Sequence, residues 1–118
     1  MSTDNGLGDP ERFLHSLAAL ARTVDARARA ADQAVSYTAQ LLAAGPTRCG
    51  KKLAEEAVET ALAAAAPDGG EVAPEAADLV FHLLVLLRAK GVSLDQVAAV
   101  LETRSSMSGL EEKKQRGG

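Results

Sequence analysis

The chain has 118 residues, enough for one domain with a modest core, and a domain of that size gains from a second subunit. Its formal charge of −3 and its 3% aromatic content exclude a general electrostatic pull toward nucleic acid or anionic membranes, and they exclude an extended stacking surface for bases. With 47% apolar residues and no tryptophan, the interior must be built from Leu, Val and Ala, which suits closely packed helices.

Residues 1–9 are polar and expected to be flexible, without the basic start and apolar run of a secretory signal. Asp9-Pro10 predicts an N-cap followed by proline at the first helical position. Phe13, Leu14, Leu17, Leu20, Ala21 and Val24 then draw one apolar stripe, in a helix ending between Val24 and Ala31. Ser36 predicts the cap of a short second helix carrying Tyr37, Leu41 and Leu42, closed by Gly45-Pro46.

A third helix is expected from about Thr47 to Ala66, where Pro67-Asp68-Gly69-Gly70 stops it. Pro74 should open a fourth helix ending at Lys90 before Gly91, and its centre, LVFHLLVLL, is apolar on nearly every side and must be covered by several neighbours. Its longest apolar segment falls far short of the ~20 residues needed to cross a bilayer, so a soluble protein is expected. Ser93 and Gln96 match the capping box of a fifth helix striped by Leu94, Val97, Ala98 and Leu101. The tail, residues 105–118, is expected to be disordered. Residues 10–104 thus form an all-α domain of four or five helices, completed by dimerisation. The lone Cys49 makes no internal disulfide, compatible with a cytoplasmic location, and reads as a small buried or half-buried side chain.

Two signals overlap at GPTRCGKKLAEEAVE. Gly45 to Lys51 reads G-x-x-x-x-G-K, but a P-loop needs a preceding strand and a Ser or Thr after the lysine, whereas Lys52 follows a helical segment here. Arg48, Lys51 and Lys52 remain as point charges for phosphate, or as a solvated basic turn.

The glutamates are more informative. Lys52, Glu55, Glu56 and Glu59 fall within roughly a 100° arc of the third helix. Glu75, Asp78 and His82 occupy roughly a 60° arc of the fourth, expected opposite the side that packs the bundle. A short loop makes the two helices antiparallel, which brings Glu59 across from the Asp78 region. Acid held beside a buried segment needs compensation, and hard oxygen donors without cysteines suit Mg²⁺ or Mn²⁺ better than zinc.

SYTAQLLAAG (Ser36 to Gly45), KKLAEEAVET (Lys51 to Thr60) and EAADLVFHLLVLL (Glu75 to Leu87) resemble the phosphoribosyl-ATP pyrophosphohydrolase family over about Phe13 to Arg104. The EExxE…ExxD signature is shared with the wider MazG-like all-α nucleoside triphosphate pyrophosphohydrolases, so the SYTAQLL segment and the paired lysines carry the narrower likeness. The resemblance implies a MazG-like bundle. It also implies Mg²⁺-dependent hydrolysis of phosphoribosyl-ATP to phosphoribosyl-AMP and pyrophosphate, the second step of histidine biosynthesis, with Glu55, Glu56, Glu59, Glu75 and Asp78 as the motif acids. Ala54 stands where the family commonly has glycine. The chain is too short to include the cyclohydrolase to which this activity is often fused, so that enzyme is expected to be separate.

On this footing Glu56, Glu59, Glu75 and Asp78 are the expected cation ligands, and Glu55, exchangeable with Glu56, orients or deprotonates water. Lys51, Lys52 and Arg48 meet phosphate. Ser36, Tyr37 and Thr38 are candidates for a ribose phosphate, with a cap for Ser36 and a core place for Tyr37 as equal readings. His82 is weighed as a packed, hydrogen-bonded residue against a ligand or proton carrier. Two other functions compete: a house-cleaning pyrophosphohydrolase of dUTP or other triphosphates, and a helical dimerisation module without activity.

Overall fold

A computed structural model describes residues 6–68, 70–106, 109, 113–114 and 116–117. Five helices follow in order: α1 (Pro10–Ala30), α2 (Tyr37–Ala44), α3 (Pro46–Ala65), α4 (Val72–Lys90) and α5 (Leu94–Ser105), and no strand occurs among the described residues. The all-α reading holds. Residues 1–5 of the N-terminal segment and half of the tail, both stretches expected to be irregular, lie outside the described residues, while Ser105, Gly109, Lys113 and Lys114 of the tail are helical.

Local chemistry accounts for the helix starts. Asp9 accepts from the Glu11 amide with Pro10 behind it, and Ser36 accepts from the Ala39 amide. Both bonds of the Ser93–Gln96 box are present. α4 departs from expectation by opening two residues earlier, at Val72. Pro74 sits within its first turn, where an amide has no intrahelical acceptor and its loss is harmless.

Gly45 ends α2 and begins α3 with φ 96 and ψ 169, a conformation essentially restricted to glycine. The α3–α4 turn has a second requirement. A Cβ on Gly70 would lie 2.5 Å from the Ala63 carbonyl oxygen, so only glycine lets the turn close this tightly.

α3 and α4 form the principal helix pair, and α1 and α2 cover α4 from other sides. Val24, Leu41, Cys49, Leu84 and Val85 make one buried cluster, edged by Leu17, Leu20, Phe81 and Leu86. Cys49 is fully enclosed as expected; its thiol donates to the Leu41 carbonyl at 3.2 Å, and burial pushes its pKa up.

Cover on α4 is incomplete, since Leu83 is 42% exposed. α5 buries none of its residues; Leu94, Val100 and Leu101 stand open, as do Phe13, Leu14, Val58 and Leu62 of α1 and α3. The stripe expected on α5 therefore stays largely open among the described residues.

Candidate active site

Carboxylates gather where the N-terminal half of α4 passes the middle of α3. Glu56, Glu75 and Asp78 each offer an oxygen within 4.8 Å of the others. Glu59 joins them, since it is within proton-sharing reach of both Glu56 and Glu75. Burial, then the shared proton and negative charge of Glu59, raise the Glu56 pKa; for Glu75 the Glu59 carboxylate comes first and burial second. These are acids that resist ionising together.

The expectation that the α4 stripe faces away from the packed side is corrected. His82 is only 5% exposed and Glu75 half-buried, because the stripe is turned toward α3, the main neighbour of α4. A helical wheel gives the angle between side chains but not the direction of the neighbour. His82 is packed, yet the hydrogen-bonded reading does not hold: Nε2 lies 3.9 Å from Glu56 Oε1, beyond hydrogen-bond range, and Nδ1 has no partner. Burial, aided by the positive charge of Lys52, holds its pKa down. At neutral pH this is an uncharged imidazole beside a carboxylate, not an ion pair.

Glu55 stands apart from the cluster. Its carboxylate is paired with Lys52 at 3.2 Å, which lowers the pKa of the glutamate and raises that of the lysine. Lys51 and Arg48, exposed on the same opening turns of α3, add to the positive field on Glu55. The basic turn and the acidic cluster are thus successive stretches of one helix, meeting at Lys52–Glu55.

The three residues opening α2 fare differently. Ser36 is buried and serves as the cap, and Thr38 is buried. Tyr37 is half exposed, so its core reading is corrected: it begins a helix whose buried face carries Thr38, Ala39 and Leu41. Its ring stacks on Phe81 at 6.3 Å between centroids and meets the edge of His82 at 6.2 Å. Phe81 escaped the sequence reading because LVFHLL looks like continuous core; its contact with Tyr37 depends on how α2 lies across α4.

A cleft of about 350 Å³ opens at the other end of α4, lined by Ala21, Val24, Leu84, Leu87 and the Asp25–Arg88 pair, and shares no residue with the carboxylates. Its walls lack the acids and bases that the α3–α4 site brings together.

Whether the carboxylates fit a divalent cation turns on the buried donor. Glu56 Oε2 is buried without a hydrogen-bond partner, inside a set of hard oxygens where burial and neighbouring carboxylates raise the pKa values of Glu56 and Glu75. An oxygen-seeking cation answers both conditions. An all-α bundle with such a carboxylate cluster following a basic helical turn defines the class of helical phosphoanhydride hydrolases.

Comparison with known proteins narrows the class. The family model for phosphoribosyl-ATP pyrophosphohydrolase matches residues 17–105. The phosphoribosyl-ATP pyrophosphatase 1 of Rhodopseudomonas palustris is 53% identical over 103 residues, covering 87% of this chain and 92% of that protein. The phosphoribosyl-ATP pyrophosphatase of Azorhizobium caulinodans is 55% identical over 101 residues, covering 86% and 92%. That of Erythrobacter litoralis is 50% identical over 104 residues, covering 88% and 99%. The chain belongs to the phosphoribosyl-ATP pyrophosphohydrolase family.

Proposed function

We propose that this protein hydrolyses phosphoribosyl-ATP to phosphoribosyl-AMP and pyrophosphate in histidine biosynthesis. The observation that carries the reading is the carboxylate cluster of α3 and α4, one turn beyond a basic turn, in a chain of this family. Glu56, Glu59, Glu75 and Asp78 are the residues that would hold Mg²⁺, with Mn²⁺ as the alternative hard cation. Such an ion, when bound, neutralises phosphate oxygens and lowers the pKa of water.

The chain's own groups do the rest. Glu55, kept anionic by Lys52, accepts a hydrogen bond from the attacking water and orients it. The water oxygen bonds to the α-phosphorus as its proton passes to the Glu55 carboxylate, the bond from that phosphorus to the α,β-bridging oxygen breaks, and pyrophosphate leaves with the electron pair. Lys51, Lys52 and Arg48 offset the charge of the departing group. His82, uncharged and packed against Glu56, lines this side of the substrate site and keeps it dry.

The working form is a homodimer. Among the described residues eleven large apolar side chains stand exposed, and α5 buries none of its own. Light scattering after size exclusion should return twice the chain mass; a monomer would contradict it. No described helix is long and apolar enough to cross a membrane, and a nucleotide substrate of amino-acid biosynthesis favours a cytoplasmic location.

Pyrophosphate release from phosphoribosyl-ATP, dUTP and the common triphosphates, measured side by side, tests the assignment. The highest kcat/KM is expected for phosphoribosyl-ATP. A strong preference for dUTP would move the protein to the house-cleaning enzymes, and no turnover with metal-independent behaviour throughout would favour an inactive helical module.

A further inference from the structure

The composition leaves few aromatic residues, two phenylalanines and one tyrosine, yet two of these three rings meet at one place. Tyr37 and Phe81 lie nearly parallel, 20° apart, and Phe81 in turn abuts the edge of His82 at 5.0 Å. A tyrosine in a packed helix ordinarily turns its ring inward, but here half of Tyr37 is open to solvent. Phe81 and His82 both pack against the ring, one nearly parallel and one nearly perpendicular to it, while half of the residue stays open to solvent.

Its neighbours are the charged groups of the site. The Tyr37 phenol is close enough to the Lys52 ammonium to act on its charge, and His82 bridges from the ring to Glu56, 3.9 Å from Nε2. A flat apolar face thus adjoins a phosphate-attracting cation on one side and a cation-binding acidic cluster on the other. A ligand with a planar aromatic part joined to phosphates has these two properties in this order; an aliphatic chain would not need the flat ring, and an inorganic phosphate would leave it bare.

We propose that Tyr37, supported by Phe81, is the shelf on which the purine base of the nucleotide substrate stacks while its phosphates reach Lys52 and the acids. This deepens the reading above and rests on it. Stacking on an aromatic side chain discriminates poorly among bases but contributes enough affinity to measure. It also separates the binding of the base from the chemistry at the phosphorus.

Steady-state kinetics on Tyr37→Leu, Tyr37→Phe and Phe81→Leu test the shelf, with the full chain and phosphoribosyl-ATP. Tyr37→Leu should raise KM about fivefold or more, a larger change than any fall in kcat. Tyr37→Phe keeps the ring and should restore KM to near the wild-type value. Phe81→Leu should raise KM less, through loss of support. An unchanged KM in Tyr37→Leu, or a Tyr37→Phe variant as impaired as Tyr37→Leu, would overturn the shelf while leaving the hydrolase intact; wild-type protein without turnover would overturn the hydrolase itself.

Because Tyr37 is the chain's single tyrosine, ring-labelled protein gives one set of tyrosine signals, an independent readout that needs no variant. Titration with a non-hydrolysable adenosine triphosphate analogue and Mg²⁺, followed in parallel by calorimetry, should shift them by ring current, whereas inorganic pyrophosphate should leave them in place. Binding heat from the analogue with unmoved tyrosine signals, or equal shifts from pyrophosphate, would overturn the proposal.

Discussion

Along α4, Glu75, Asp78 and His82 bring charge and an unpartnered imidazole nitrogen against α3, whereas two residues further on Leu84 and Val85 enter the apolar cluster with Val24, Leu41 and Cys49. One helix therefore serves two opposed purposes. Its C-terminal half gains stability from burial, at roughly 25 cal/mol for each Å² of apolar surface removed from water. Its N-terminal half gives stability away by holding carboxylates closer than they would choose. The sites of greatest stability and greatest chemistry are adjacent but distinct, so each should respond to substitution in its own way.

The largest effect should separate the halves outright. Glu59→Gln or Asp78→Asn is expected to lower turnover about 100-fold or more, at least what loss of a supporting residue at a metal site brings. The helical circular dichroism should persist. Near-normal activity in both variants would remove the acids from the cation site and erase the distinction.

Leu84→Ala should do the reverse. Only 6% exposed, Leu84 would leave a cavity, and a loss of about 2–5 kcal/mol is expected in denaturant unfolding, with kcat retained by the folded fraction.

A pH series sharpens the contrast. Glu56 and Glu75 ionise above the ordinary glutamate value of 4.5 in the folded cation-free protein, while in the unfolded chain they ionise at it. Between those values the folded state binds more protons, so its stability declines as pH rises from 4.5 through the raised folded values. A Mg²⁺ ion held there as proposed would bind the ionised form, so the gain in melting temperature on adding it should grow across the same interval. A gain independent of pH would place the cation away from these carboxylates. Smallest of all, Ser93→Ala removes the α5 cap and should destabilise that helix by about 1 kcal/mol, visible in amide exchange without altering catalysis.

What the sequence discloses follows the range of the interactions concerned. The caps at Asp9, Ser36 and Ser93 act over two or three residues and were readable from their residue types. The acidic cluster was readable because a short turn forces α3 and α4 antiparallel, which leaves little choice over which residues meet. The inward direction of the α4 stripe, the open ring of Tyr37 and its stacking on Phe81 were hidden, since each depends on the angle at which one helix crosses another. The stripe on α5 was legible as a pattern, but whether it is buried depends on what packs against it and not on local propensity.

The turn at Gly70 has a wider influence than its lack of a side chain suggests. Because the Ala63 carbonyl occupies the space a methyl group would need, any larger residue must push the ends of α3 and α4 apart. Glu59 and Glu75 lie within two turns of that point, so the aperture between the acids is calibrated by a residue that takes no part in binding. Gly70→Ala should widen it and weaken the hold on Mg²⁺ with every ligand still present, which makes this turn a place where affinity can be tuned without touching the chemistry.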